Sequence, residues 1–316
     1  MNKTLTVYIR SWRDFTKVVK LLAGEDWMFR GQRDADWKLD STLDRDLAKQ
    51  LAERSVEFKS TQAAQMRLAE QYAIGTFKKL TTRQQSFGER DVDLLATMQH
   101  YGTSTRLLDF TTSIYVALFF AFEEKITRKP RAIYAIRYGD IIDCAQLKQA
   151  YKVRLDESDI PRDEGTESGR RRFNHLKLTD FIFECAEKNI KEGDSENGVL
   201  PLYTVGTNDR LTAQAGVFLM PRTFNGLAVN LAATLNVSVT EVNAPSKSIE
   251  DISHMKFGDR RMEASLVKLV FNPSLENDAW DMLDQANISP RTIYPDLTGI
   301  AKSIRYSNRF LRIGLS

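Results

Sequence analysis

Residues 99–122 read QHYGTSTRLLDFTTSIYVALFFAF. From residue 114 onward the sequence is apolar on nearly every side of a helix, which is typical of a helix at the centre of a domain. The preceding half holds a histidine, a tyrosine, an arginine, an aspartate and six hydroxyl side chains. Polar side chains attached to a rigid core element are what a binding site requires. The stretch therefore predicts a central helix over residues 114–126 and a candidate site directly before it.

Strands and helices on both sides of this stretch lack the regular strand–helix–strand repeat of a doubly wound sheet. We therefore predict an α+β fold, with a mixed or antiparallel β core surrounded by helices. We expect one domain over residues 1–316, with a mobile loop or insertion at about residues 156–174, where proline, glycine and charge accumulate. The predicted strands are residues 4–9, 27–31, 131–137, 199–205, 216–220 and 265–271. The first predicted helix follows Ser11 and ends at Gly24, and the others cover residues 44–80, 91–100, 114–126, 227–235, 277–287 and 299–305. Residues 101–113 are predicted to be irregular.

The composition excludes several classes of protein. The 316 residues carry 45 Lys and Arg against 42 Asp and Glu, a net charge of +3, which excludes a strongly basic histone-like binder but allows a local basic groove. Two cysteines and three histidines make a metal-centred mechanism unexpected. The start of the chain does not resemble a signal peptide, and the most apolar stretch has nine residues where a membrane span needs about 20. We expect a cytoplasmic protein that binds neither metal nor membrane.

The first candidate site is Phe29-Arg30-Gly31-Gln32, at the end of a predicted apolar strand. A guanidinium fits phosphate or carboxylate with two parallel hydrogen bonds, and a glycine lets a ligand approach the backbone closely. A structural ion pair between Arg30 and an acidic neighbour explains the same residues equally well.

The segment around residues 99–113 is the second candidate, with His100, Arg106 and Asp109 as its chemically active side chains. Its hydroxyl residues are also suited to cap the following helix, through Thr111, Thr112 or Ser113.

The third candidate is the polar turn before the strand at residue 216, from which Arg210 and Gln214 could reach a ligand. An ordinary loop entering a strand explains that turn as well.

In order and spacing these segments resemble the FRG domain family, named for the triplet at Phe29, Arg30 and Gly31. The resemblance implies a single FRG-type domain over the chain. It is carried by WMFRGQ at 27–32, STLDR at 41–45, QHYG at 99–102, TRLLDFT at 105–111, ALFFA at 117–121, Arg210, QAGVFL at 214–219 and IYPDLTG at 293–299.

The order of parts is also similar to arginine-type ADP-ribosyltransferases, which have an arginine on a first strand, a Ser-Thr-Ser strand, an A-x-x-F-A helix and a Glu-x-Glu turn. This resemblance implies an ADP-ribosyltransferase-like β core and NAD as substrate, with Arg30 on its pyrophosphate. Gln214 and Gly216 stand where the two glutamates of the turn would fall. The implied catalytic residues are then His100, Asp109 and Gln214, and the implied NAD-binding residues are Arg30, Gly31, Gln32, Tyr101, Thr105, Arg106 and Thr111.

Three functions remain open at this stage. The first is transfer of ADP-ribose from NAD to a macromolecule, with RNA or DNA preferred over protein as acceptor. By family-level analogy such an enzyme could be the toxin of a toxin–antitoxin or phage-defence system, with an antitoxin protein as partner. The second is a non-catalytic module that binds a nucleotide or a phosphate group, and the third is a nuclease that uses His100 and Asp109.

Overall fold

A computed structural model describes residues 4–23, 25–55, 60–81, 90–124, 129–144, 147, 167–203, 209–245 and 264–311. Its strands form one mixed sheet in the order β1-β7-β4-β2-β3-β6-β5. Strands β1 and β7 are parallel, and all other neighbours are antiparallel. This confirms the predicted α+β class. The strands are β1 Thr4–Ile9, β2 Trp27–Gln32, β3 Leu108–Thr111, β4 Arg131–Arg137, β5 Val199–Leu202, β6 Gly216–Pro221 and β7 Leu266–Phe271.

Helices cover both faces of the sheet. Two begin with a capping box in which a serine and an aspartate satisfy each other's backbone N–H groups, Ser11 with Asp14 and Ser41 with Asp44. The helices are α1 Trp12–Leu22, α2 Thr42–Arg54, α3 Ser60–Thr81, α4 Asp91–His100, α5 Ile114–Phe122, α6 Tyr138–Ile142, α7 Glu167–Glu192, α8 Asp209–Ala213, α9 Leu227–Leu235, α10 Val239–Asn243, α11 Glu276–Gln285, α12 Pro290–Ile293 and α13 Leu297–Leu311.

Helix α5 is the central helix that its apolar sequence predicts, although it ends at Phe122, and residues 125 and 126 of the predicted helix lie outside the described residues. Seven of its nine residues are buried, and it belongs to the cluster between the sheet, α1 and α11. Ser113 caps it by accepting a hydrogen bond from the Val116 amide at 3.3 Å, which confirms the capping interpretation. The helix lies directly on β2, because a Cβ atom at Gly31 would be 1.9 Å from the Ala117 carbonyl oxygen. Only a glycine allows this approach.

The sequence assigned some segments differently from the structure. Residues 108–111, predicted to be irregular, form β3, because strands on both sides pair with this short segment. Residues 167–174 lie in α7 rather than in a loop, and residues 156–166 lie outside the described residues. The stretch 44–80 contains two helices, α2 and α3. Helix α1 ends at Leu22 with Ala23 as its C-cap, and Gly24 lies outside the described residues.

The sheet divides between β2 and β3. Phe29 and Thr111 are the one residue pair in register between these strands, whereas β2 and β4 share six. Beyond that pair, β2 continues to Gln32 while β3 runs back to Leu108, and the two strands diverge. The open end of this division lies between β2, which pairs with β4 on its other side, and β3, which pairs with β6.

Candidate functional site

A cleft of about 440 Å³ opens where β2 and β3 diverge. Three parts of the sheet supply polar side chains to it: β2 with Arg30 and Gln32, β3 with Asp109 and Thr111, and the turn before β6 with Gln214. His100 and Gln99 line it from the end of α4, and Glu123 and Glu124 from the end of α5. The cleft therefore collects residues from the three separate candidate segments of the sequence.

Arg30 spans the division of the sheet. Its Nη1 donates a hydrogen bond of 2.7 Å to the Asp109 carbonyl oxygen and lies 3.9 Å from the Asp109 carboxylate. Burial lowers the pKa of this guanidinium, and the Asp109 charge raises it in part. Because arginine stays protonated in proteins, the charge remains and is poorly solvated. The Arg30 side chain is 20% exposed and a guanidinium has five N–H donors, so donors other than the one on the Asp109 carbonyl oxygen remain for an anionic ligand.

Asp109 is oriented by a chain of hydrogen bonds. Gln99 Nε2 donates to the Asp109 carboxylate at 2.8 Å, and the Thr105 hydroxyl donates to Gln99 Oε1. The Asp109 side chain remains 58% exposed. The carboxylate is thus held in place on one oxygen and open to the cleft, which suits a group that meets a developing positive charge or a proton.

Thr111 and Gln214 connect the ends of β3 and the turn before β6. The Thr111 hydroxyl donates to the Gln214 carbonyl oxygen at 2.7 Å. Gln214 Nε2 donates to the Ile293 carbonyl oxygen at 3.3 Å. The next residue, Ala215, has a left-handed backbone with φ of 46°, which is strained for a residue with a Cβ atom. These bonds hold the turn against β3.

Gly216 begins β6 opposite Thr111, and it has little space around its Cα atom. A Cβ atom there would lie 2.9 Å from the Leu211 side chain and 3.3 Å from the Leu211 carbonyl oxygen. The nearest atom is a terminal methyl group of Leu211, which can move, and the carbonyl oxygen would need to shift by only a few tenths of an ångström. The glycine itself supplies no carboxylate to the cleft.

His100 lines the cleft beside an ion pair. Arg210 Nη2 donates to Asp296 at 2.8 Å. Burial lowers the pKa of His100, the positive charge of Arg210 lowers it further, and Asp296 opposes both. The imidazole is therefore neutral at neutral pH and can accept a proton.

Seven of the ten residues proposed from the sequence line this cleft: Arg30, Gly31, Gln32, His100, Asp109, Thr111 and Gln214. Gln32 is buried, with Nε2 donating to the Lys38 carbonyl oxygen at 3.0 Å and Oε1 without a hydrogen-bond partner. Gly31 lines the cleft, and the absence of a side chain there lets α5 pack directly on β2. Helix packing therefore explains why this residue is a glycine.

Three of the ten lie elsewhere. Arg106 is buried and forms an ion pair of 2.9 Å with Glu70, and its Nη1 donates to the Pro221 carbonyl oxygen. A guanidinium paired in the interior in this way is not available to NAD, which corrects its assignment as a ligand-binding residue. Thr105 acts one step behind the cleft, through Gln99. Tyr101 is 64% exposed and is not among the residues that line the cleft.

Glu123, Glu124 and Trp37 also line the cleft and were not among the site residues proposed from the sequence. Glu123 accepts hydrogen bonds from the Tyr294 hydroxyl at 2.6 Å and from Lys302. Glu124 pairs with Arg33 at the opposite wall. Trp37 lines the mouth of the cleft and is 44% exposed. Two acidic residues directly after the most apolar helix were the sequence signal for this part of the site.

The family comparison supports the FRG resemblance over part of the chain. Residues 25–129 match the family model described as FRG domain. This FRG match runs from the start of β2 past the end of α5, and it contains Arg30, Asp109 and both cleft glutamates. It does not include Gln214 or Arg210. Searches of curated proteins and of solved structures found no match.

Two further observations bear on the expected chemistry. In the described ranges, no cluster of three or more His, Cys, Asp or Glu side chains is arranged to hold a metal ion. The helices of those ranges also include none with the length and apolarity that crossing a membrane requires.

Proposed function

We propose that this protein is an ADP-ribosyltransferase-like enzyme that uses NAD to modify a macromolecular acceptor. The observation that carries the proposal is the arrangement at the divided sheet, where the poorly solvated Arg30 cation lies beside a carboxylate that is oriented yet exposed. A substrate with an anionic pyrophosphate and a centre that becomes positive matches both groups. The resemblance of the chain's order of parts to arginine-type transferases points to the same substrate.

Arg30 supplies the binding contribution in this proposal. Its forked guanidinium, part of which is exposed, suits a pyrophosphate oxygen. Gln32 lines the cleft on the same strand.

The chemical step breaks the bond between the nicotinamide nitrogen and ribose C1′. The bonding electron pair leaves with nicotinamide, which departs neutral, and C1′ gains positive character that the Asp109 carboxylate stabilises. The acceptor's nucleophilic atom forms the new bond to C1′ on the opposite face. Its proton passes to a base in the cleft, for which neutral His100 and Asp109 are the candidates. Gln214 orients the acceptor side of the cleft through the turn before β6.

The test is incubation of the purified protein with NAD labelled in its ADP-ribose part, separately with RNA, DNA and cell-lysate protein. Arg30→Ala should weaken NAD binding by about 10- to 150-fold, the value of a charge-assisted hydrogen bond. Asp109→Asn should lower turnover about 100-fold with NAD affinity nearly unchanged. Arg10→Ala, which removes an exposed arginine at the end of β1, is the matched control.

The outcomes separate the hypotheses. Label on one polymer class, lost in Arg30→Ala and kept in Arg10→Ala, supports the transferase and identifies the acceptor class. Release of nicotinamide at the wild-type rate by Asp109→Asn would refute the role of Asp109. RNA or DNA remains the predicted acceptor. If transfer is toxic in cells, a neutralising antitoxin protein is the expected partner, in a toxin–antitoxin or phage-defence setting.

A second function is favoured by one specific observation. Gly216 stands where arginine-type transferases carry a glutamate, and the missing carboxylate favours a non-catalytic module that captures a nucleotide or phosphate group. Such a module would bind NAD or another nucleotide through Arg30 and release no nicotinamide. Tight Arg30-dependent binding without any transfer, in folded protein, would establish this second function.

A further inference from the structure

The mouth of the cleft presents a tryptophan that does not pack into the core. Trp37 is 44% exposed although it lines the cleft. The other three tryptophans are buried or half-buried. Trp37 therefore contributes little to the core, and its exposed ring is available to a ligand that enters the cleft.

The loop that carries Trp37 is held by hydrogen bonds from several directions. The Trp37 amide donates to the Asp34 carbonyl oxygen at 3.2 Å, and the Trp37 carbonyl oxygen accepts from the Tyr134 hydroxyl at 3.5 Å. The Ala35 amide donates to the Pro130 carbonyl oxygen at 2.9 Å. Asp34 also pairs with Lys129. The backbone of the exposed indole is thus fixed before a ligand arrives, which lowers the entropy cost of binding.

Arg33 places a cation against the same ring. Its guanidinium carbon lies 5.5 Å from the centroid of Trp37, within the range of a cation–π interaction. Glu124 pairs with Arg33 and so fixes the guanidinium. Lys38, directly after Trp37, is exposed. An aromatic face flanked by cations is the arrangement by which proteins hold single-stranded nucleic acids, because bases stack on the ring and cations attract the phosphates.

We propose that Trp37 and Arg33 form a stacking site for a nucleobase, and that this base belongs to a single-stranded RNA or DNA acceptor. The inference rests on the proposed function, because it identifies the acceptor of that reaction. The adenine of NAD has the same stacking chemistry. We assign the acceptor because Trp37 lies at the mouth, whereas Arg30, the proposed pyrophosphate contact, lies in the division between the strands.

The experiment measures binding of a fluorescently labelled single-stranded oligonucleotide by anisotropy, in parallel with binding of NAD. Both are measured with the full chain at one fixed salt concentration, since phosphate contacts depend on salt. The variants are Trp37→Ala, Trp37→Phe and, as matched control, Tyr72→Ala, which removes an aromatic ring that is 76% exposed on α3. A second oligonucleotide with abasic sites lacks the bases but keeps the phosphates. Thermal unfolding of each variant checks that it is folded.

Trp37→Ala should weaken oligonucleotide binding by about 5- to 150-fold, the value of one base–aromatic stack. Trp37→Phe should retain most of the affinity, and Tyr72→Ala should match the wild type. The abasic oligonucleotide should bind wild type and Trp37→Ala equally, and NAD affinity should change less than about twofold. This pattern supports the stacking site whether or not ADP-ribose is then transferred. Failure of the proposed transferase reaction can therefore be distinguished from failure of the stacking site.

Three results would overturn it. The first is oligonucleotide affinity unchanged in Trp37→Ala. The second is a loss of NAD affinity in Trp37→Ala that exceeds the loss for the oligonucleotide, which would assign the ring to the adenine of NAD. The third is transfer of ADP-ribose to protein alone at the same rate in wild type and Trp37→Ala, which would leave the transferase proposal standing without a nucleic-acid acceptor.

Discussion

Replacing Gly31 with alanine tests whether the contact between α5 and β2 sets the shape of the cleft. A Cβ atom at Gly31 would lie 1.9 Å from the Ala117 carbonyl oxygen and 2.7 Å from the Ala121 amide nitrogen. Both are backbone atoms of a helix that is almost entirely buried, so neither can rotate away. To restore a separation of 3.0 Å from that oxygen, the helix must withdraw from the strand by about 1.1 Å.

This withdrawal is opposed by the whole cluster around α5. Overpacking a filled core costs about 1–3 kcal/mol, and sometimes more, and here a backbone contact rather than a flexible side chain must yield. We therefore expect Gly31→Ala to lower the free energy of unfolding by about 3 kcal/mol or more. Because Glu123 and Glu124 follow α5 directly, the same shift should widen the cleft and weaken NAD binding in whatever fraction remains folded.

The assay is urea unfolding followed by circular dichroism, with Gly75→Ala as the matched control. A Cβ atom at Gly75 meets nothing within 4 Å, and this glycine lies inside the exposed part of α3. Removing it should raise the free energy of unfolding by about 0.5–1 kcal/mol, the ordinary helix preference for alanine. A loss below about 1 kcal/mol in Gly31→Ala would refute the reasoning, because it would mean that α5 moves on β2 at little cost.

Three further predictions concern residues that line the cleft or lie behind it. Arg106→Leu and Glu70→Leu should each lower the free energy of unfolding by about 3–5 kcal/mol, because each change leaves one buried charge unpaired. The double variant should lose less stability than either single variant, and additive losses in urea unfolding would contradict this. Thr105→Val should lower turnover with NAD affinity unchanged, because Gln99, whose amide orients Asp109, loses its hydrogen bond from Thr105. Equal kcat in the variant and the wild type would remove Thr105 from the site. Burial lowers the pKa of His100 below its unfolded value, so its contribution to stability is complete above about pH 6.5 and is lost as the pH falls towards the folded-state pKa. His100→Asn should therefore flatten the loss of stability that unfolding curves show between about pH 7.5 and pH 5. An unchanged pH dependence would count against a partly buried, neutral imidazole.

The sequence was sufficient where local pattern decides the structure. Strand β4 and helix α9 begin and end where their alternation and periodicity predict. Strand β3 was missed because its four residues lie within a segment rich in threonine and serine, which reads as irregular. Its conformation comes from neighbours on both sides of the sheet, which a local pattern does not reveal.

Arg30 and Arg106 show the same limit within the site. Both were predicted to bind the ligand, Arg30 at the end of an apolar strand and Arg106 in the polar segment before the central helix. The difference is made by distant partners. Glu70 on α3 meets Arg106 in the interior, whereas Arg30 has the Asp109 carbonyl oxygen and an exposed carboxylate beside the cleft. Which acidic group lies opposite an arginine is a property of the tertiary fold.

The glycine at position 216 leaves the cleft without a carboxylate from the start of β6. The carboxylates that line the described cleft lie on β3, at Asp109, and just after α5, at Glu123 and Glu124. Strand β3 leads directly into α5, so the three groups belong to one continuous unit, and that unit is pressed against Gly31. The separation between these carboxylates and Arg30 is therefore set by how closely α5 lies on β2. A substitution at Gly31 should thus change the chemistry of the cleft without touching any of its charged groups.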